Sequence, residues 1–157
     1  MKIAYTASVM LILAGTGPLT AQQPIPPKAS LEIDVPDIVA EVKAAFERYE
    51  HAVVTNDAAI LDETFRDDPR TIRYGQADIE YGFKEIEAFR ARSRGPGPRT
   101  LSRTVITTFG RDFAVASTLV HRAGVAGKVG RQQQTWVRFP EGWRVVAAHV
   151  STIDEPK

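Results

Sequence analysis

The chain has 157 residues, 43% of them hydrophobic and 25% charged, a length and balance that fit one globular domain. Lys and Arg number 20 against 19 Asp and Glu, for a net charge of +1, so composition argues neither for a nucleic-acid surface nor for an acidic tail. The absence of cysteine excludes disulfides, thiolate zinc sites, iron–sulfur ligation, a cysteine nucleophile and a lipidated cysteine.

Met1-Lys2 opens the chain with positive charge, Ile3 to Ala14 runs almost wholly apolar, and Gly15 to Pro18 breaks the run before Leu19-Thr20-Ala21. This is the build of a secretory signal peptide with cleavage after Ala21. The apolar run falls short of the roughly 20 residues that span a bilayer, so a retained anchor is the weaker alternative and no stable membrane insertion is expected after cleavage. Residues 22–35 carry Pro24, Pro26 and Pro27 and read as an extended, unpaired linker. The folded domain is expected over residues 36–153, exported to the periplasm or secreted.

From Pro36 to about Asn56, the residues Val39, Val42, Phe46, Tyr49 and Val53 recur at helical spacing, and Pro36 suits a first turn. Asp57 is placed to cap a short second helix through Ile60, Leu61 and Phe65. Asp67-Asp68-Pro69 is a turn, Thr71 to Tyr74 a short strand closed by Gly75, and Phe83 to Ser93 a third helix with Phe83, Ile86, Phe89 and Arg90 inward. Gly95-Pro96-Gly97-Pro98 stops regular structure. Four strands follow, at about Arg99–Phe109, Phe113–Arg122, Val129–Phe139 and Trp143–Thr152, with tight connections at Gly110-Arg111-Asp112 and Pro140-Glu141-Gly142. The expectation is an α+β fold in which three N-terminal helices pack on a curved, mostly antiparallel sheet.

Polar residues on the inner face of such a sheet need a reason, because an unpaired buried polar group costs about 1–3 kcal/mol. Tyr49 sits on the core stripe of the long helix, where its hydroxyl can serve a pocket or simply reach water. Arg73 lies mid-strand and can clamp a carboxylate, or pair at the surface with Asp67 or Asp68. Gln132 and Gln134 share a face with Trp136 and suit amide or urea-like ligands, although an ordinary polar sheet face reads the same way. His149 and Ser151 fall by alternation on the face of Trp143, Val145 and Ala147, where the histidine is a base, a fixed donor or a satisfied core residue. The three histidines, His51, His121 and His149, have no metal-ligand spacing, and no zinc-hydrolase or nucleophile-elbow motif occurs. Arg90, Arg92, Arg94, Arg99 and Arg103 form an acid-free stretch, read as a solvated loop that can draw anions toward a pocket mouth. No aromatic platforms interleave it, which argues against nucleic acid.

Several segments together resemble one family. They are Phe46-Glu47-Arg48-Tyr49-Glu50, Asp67-Asp68-Pro69-Arg70-Thr71-Ile72-Arg73-Tyr74-Gly75, Arg99 to Val105, Thr107 to Ala114, Gly130 to Val137, and Gly142 to Ser151. In this order they resemble the AtzH-like family, which includes HpxZ of oxalurate catabolism and belongs to the SnoaL-like branch of the nuclear transport factor 2-like superfamily. The resemblance implies a cone-shaped, cystatin-like α+β fold, dimeric through the sheet, with no metal or organic cofactor. The family's namesake decarboxylates 1-carboxybiuret in cyanuric acid breakdown and depends on a Tyr and an Arg, which fall here on Tyr49 and Arg73. The implied activity is cofactor-free decarboxylation of a small anionic amide or ureide; strand alternation, rather than the resemblance, adds Gln132, Gln134, His149 and Ser151 as the residues expected to orient the ligand. The alternative is an exported binding or accessory domain of the same fold without turnover. Two departures stand out: the exported leader in a typically cytoplasmic family, and Arg66 where an aromatic usually precedes Asp-Asp-Pro, at the expected pocket rim.

Overall fold

The computed structural model describes residues 31–156; the leader and most of the linker lie outside them. The element order is α1 (Pro36–Thr55), α2 (Ala58–Thr64), β1 (Ile72–Tyr74), β2 (Ile79–Tyr81), α3 (Phe83–Arg92), β3 (Arg99–Phe109), β4 (Phe113–Arg122), β5 (Lys128–Phe139) and β6 (Gly142–Asp154). The six strands form one sheet in the order β2-β1-β6-β5-β4-β3. Every neighbouring pair is antiparallel except β1 with β6. This is the α+β arrangement that helices followed by a meander predict, with β2 added after the Gly75 turn, where no strand was expected.

Helix α1 starts with proline in its first turn and ends at Asn56, whose left-handed backbone (φ 55°) returns its N–H to the Ala52 carbonyl. Its buried stripe begins at Ile38 rather than Val39, then continues through Val42, Phe46, Tyr49, Ala52 and Val53. This stripe, with Phe65, Phe83 and Ile86, covers Ala114, Ala116, Trp136, Trp143 and Val145 on the sheet. Asp57 caps α2 through an acceptor oxygen 3.1 Å from the Ile60 nitrogen. Replacing Asp57 by alanine is expected to cost about 1 kcal/mol, read as a lower denaturant midpoint with unchanged slope.

The stretch before Pro36 is not free of the domain. Ile33 bridges to Phe109, and Asp34 both donates to the Thr108 carbonyl at 3.1 Å and accepts from the Thr108 N–H at 2.9 Å. The end of the expected linker is thus paired to β3.

Two bulges bend the sheet. In β3 the register shifts between Ser102 and Val105, around Arg103 with φ 51°. Between β5 and β6, Thr135 faces Ala147 while the next residue, Trp136, faces Val145. Val146 is therefore an extra residue in β6, and it reverses which side chains point inward beyond it. Trp143 and Val145 face the helices before the bulge, and Ala148 after it; all three are buried, whereas His149 is exposed.

Candidate functional site

The strand registers place one row of side chains across the concave face. Glu80 pairs with Arg73, Arg73 with Ala148, Ala148 with Gln134, Gln134 with Ala116, and Ala116 with Ile106. A parallel row carries Val150, Gln132 and Thr118. Alanines on both sides of Gln134 leave room above it. The room is a cavity of about 250 Å³, roofed by Tyr49 and Val53 of α1, Leu61 of α2, and Phe89 and Arg90 of α3, and floored by Arg73, Gln132, Gln134, Ala148 and Val150.

Tyr49 and Arg73 thus meet in one cavity, together with Gln132 and Gln134. Tyr49 is 9% exposed, its ring tilted against Phe65 at 6.3 Å and edge-on to Trp136 at 6.4 Å. Burial holds its hydroxyl above the usual tyrosine range, the neighbouring Glu50 carboxylate adds to this, and Arg99, Arg90 and Arg73 pull against it. The hydroxyl therefore stays protonated at neutral pH, facing guanidiniums able to offset a phenolate charge.

Arg73 lies with its guanidinium carbon 4.4 Å from the Phe89 ring centre. One nitrogen, Nη1, donates to both Asp78 and Glu80, the latter at 2.8 Å. Among the described residues neither Nε nor Nη2 has a partner, so the opposite edge of the fork is free for a ligand carboxylate. Gly75 makes this arrangement possible, since a β-carbon there would occupy the place of the Asp78 carboxylate.

Glu80 is buried beside Arg73. Burial raises its pKa above the usual glutamate value, Arg73 opposes this, and Asp78 reinforces it. The folded chain accordingly binds the Glu80 proton more tightly than the unfolded chain. This stability is present in full below the unfolded glutamate pKa and is lost as pH rises through the raised folded value. Glu80→Gln is expected to flatten the decline over that interval, as measured by denaturant midpoints at successive pH values.

Sequence reasoning missed four further charged groups of the site. Arg90 donates to Asp62 at 2.6 Å and stacks 4.4 Å from the Phe65 ring centre. Arg99 pairs with Glu50, which also accepts from Gln132 Nε2 at 2.6 Å. The basic stretch that holds Arg90 and Arg99 reads as a solvated loop, yet their side chains are only 8% and 5% exposed, as the inward place of Arg90 on the third helix requires. Arg122, directly opposite Arg99 across β3 and β4, also lines the cavity and has no acidic partner among the described residues. A signal did exist for two of the four. Arg90 falls on the inner stripe of α3, and Glu50 lies four residues after Phe46 and three before Val53, on the stripe of α1.

His149 and Ser151 are not in this cavity. The extra residue at Val146 turns both to the convex face of the sheet, where His149 sits edge-on to Tyr74 with ring centres 6.2 Å apart. Ser151 there accepts from Arg131 Nε at 3.1 Å. Strict alternation had placed them inward, and the bulge corrects that placement. Arg66 is also absent from the cavity lining; it pairs with Glu141 and stacks on Phe139 at the β5–β6 turn.

Several buried polar atoms of the site lack a partner: Gln132 Oε1, both Gln134 amide atoms and Arg99 Nε. Such atoms are costly unless something bonds them, and here they border a cavity with arginine at both ends. That donor and acceptor set fits a small ligand with a carboxylate and an amide or urea group.

Comparison with known proteins agrees with the segments quoted above. The AtzH-like family model matches residues 31–156. The chain belongs to the AtzH-like family. A crystal structure of a protein of unknown function from Pectobacterium atrosepticum is 54% identical, covering 78% of this chain and 95% of that one, with a TM-score of 0.75. A cystatin-like fold protein from Burkholderia xenovorans is 47% identical, covering 80% and 99% of the two chains, with a TM-score of 0.77. An NTF2-like protein of unknown function from Pseudomonas putida, 17% identical with a TM-score of 0.64 over 77% of this chain and 96% of that one, shares the fold. No curated protein gave a match. The AtzH-like chain thus has the nuclear transport factor 2-like fold, with Tyr49, Arg73, Gln132 and Gln134 gathered in the cavity between its helices and sheet.

Proposed function

We propose that this AtzH-like protein is a cofactor-independent decarboxylase of a small N-carboxylated urea or amide, with 1-carboxybiuret as the model substrate. The observation that carries the reading is the meeting of Arg73, with a free guanidinium edge, and the buried, protonated Tyr49 over the unpartnered Gln132 carbonyl and Gln134 amide. In a 250 Å³ cavity the substrate carboxylate lies against Arg73 Nε and Nη2. The bond from nitrogen to the carboxyl carbon breaks and its electron pair passes to the nitrogen. That nitrogen takes the Tyr49 proton, carbon dioxide leaves, and the phenolate recovers a proton from water. Arg90 and Arg99 offset the transient phenolate charge from fixed positions, which requires no reorganisation during the reaction. Asp78 and Glu80 already share the charge of Arg73, so the guanidinium orients the carboxylate without locking it in its ionised form. Gln132 and Gln134 bond the amide portion.

The proposal includes export, read from the leader, and pairing of two copies through the sheet, as the family resemblance implies. Its test is biuret formation from 1-carboxybiuret by the chain starting at Gln22. Release well above the spontaneous rate supports the enzyme. Saturable binding with no acceleration assigns the chain instead to ligand binding without turnover.

A further inference from the structure

The two glutamines of the cavity floor differ in their freedom. Both amide atoms of Gln134 are unpartnered, so that amide can turn either edge to a ligand. Gln132 cannot. It is 3% exposed, and its Nε2 lies 2.6 Å from Glu50 Oε1, while Arg99 holds the other Glu50 oxygen. A carboxylate only accepts hydrogen bonds, so the amide nitrogen must face Glu50, and the carbonyl oxygen is then turned away from it. That oxygen is buried without a partner beside the cavity that Gln132 lines.

We propose that Glu50 is a positioning residue that locks the Gln132 carbonyl toward the cavity, so that the site selects ligands bearing an N–H donor at the end away from Arg73. Arg73 on β1 and Gln132 on β5 are separated by β6 and lie in adjacent rows of the sheet, which sets their backbones about 12 Å apart. Both side chains line the same cavity, so a carboxylate and a terminal amide joined through a short ureide are placed between them. The proposal rests on the carboxylate-plus-amide ligand argued above, and adds the polarity of the amide end. An acceptor at that end would face the Gln132 oxygen and leave both unpaired, which is how a site built around a hydrogen bond rejects an isostere.

The test uses two unreactive probes of the same shape, ureidoacetate and N-acetylglycine, which differ in a terminal NH₂ against CH₃. Calorimetric binding to the unmodified protein is expected to favour ureidoacetate by about tenfold or more. Glu50→Gln, which can donate as well as accept, frees the Gln132 amide to turn and is expected to bring that ratio to within about threefold. Gln132→Met, which removes the acceptor and leaves Glu50 in place, collapses the ratio in the same way and serves if Glu50→Gln does not fold. Arg73→Ala weakens both probes and leaves their ratio standing. A merely structural role for Glu50 would lower stability without changing the ratio. A ratio preserved in both folded variants, no preference in the unmodified protein, or no binding of either probe overturns the proposal. Because neither probe loses carbon dioxide, failure of the decarboxylase assay leaves these outcomes readable.

Discussion

Replacing Arg73 by alanine is expected to lower kcat/KM for 1-carboxybiuret by about 10²–10³-fold, the usual effect of removing one preorganised donor from a reacting anion. The same change leaves Asp78 and Glu80 facing each other without their shared cation. Breaking a buried pair costs about 3–5 kcal/mol, lessened here because Glu80 readily takes a proton and the Arg73 side chain keeps 18% exposure. Activity therefore has to be referred to the folded fraction, measured by denaturant titration of the same preparation. Arg73→Lys separates the two effects. It retains the cation for Asp78 and Glu80, so stability largely returns, but it cannot present two parallel donors. An alanine variant that is folded and keeps at least a third of wild-type kcat/KM would remove Arg73 from the reaction.

Tyr49→Phe is the second large effect. Loss of a positioned general acid lowers rates by about 10²–10⁴-fold, and here it should appear in kcat with KM nearly unchanged, because carboxylate binding stays with Arg73. The ring packing against Phe65 and Trp136 survives the substitution. The hydroxyl has no hydrogen-bond partner among the described residues, so stability should hold within about 0.5 kcal/mol. A kcat unchanged in Tyr49→Phe would transfer the proton delivery to water or another residue.

Where the sequence succeeded and failed follows from what kind of information each feature needs. The three helices and four long strands were legible because periodicity, Asp57, Pro36 and the Gly-containing turns are local signals. Strand β2 was not, since Ile79–Tyr81 is three residues long and owes its place to antiparallel pairing with β1. Tyr49 stood out on the core stripe of α1 and Arg73 in mid-strand, and the family resemblance gave both their roles; Gln132 and Gln134 came from their shared face with Trp136. His149 and Ser151 were misplaced because alternation assumes an unbroken register, and nothing in Val145-Val146-Ala147 announces a bulge. The ion pairs that bury Arg90 and Arg99 were not legible because their partners, Asp62 and Glu50, lie 28 and 49 residues away in the chain. Long-range ion pairs of this kind leave no mark in a local window, whereas a charge on an apolar stripe does. Glu50 carried such a mark.

The central claim is that this cavity removes carbon dioxide from an N-carboxylated ureide using Arg73 and Tyr49. The most direct measurement is ¹³C NMR of 1-carboxybiuret labelled at the carboxyl carbon, incubated with the chain from Gln22 and with its Arg73→Ala and Tyr49→Phe variants. The account predicts that label passes to carbon dioxide and bicarbonate, with unlabelled biuret as the organic product, and that each folded variant falls back toward the spontaneous rate. Label leaving at the spontaneous rate with the folded wild-type protein, or equally fast with both variants, would contradict it.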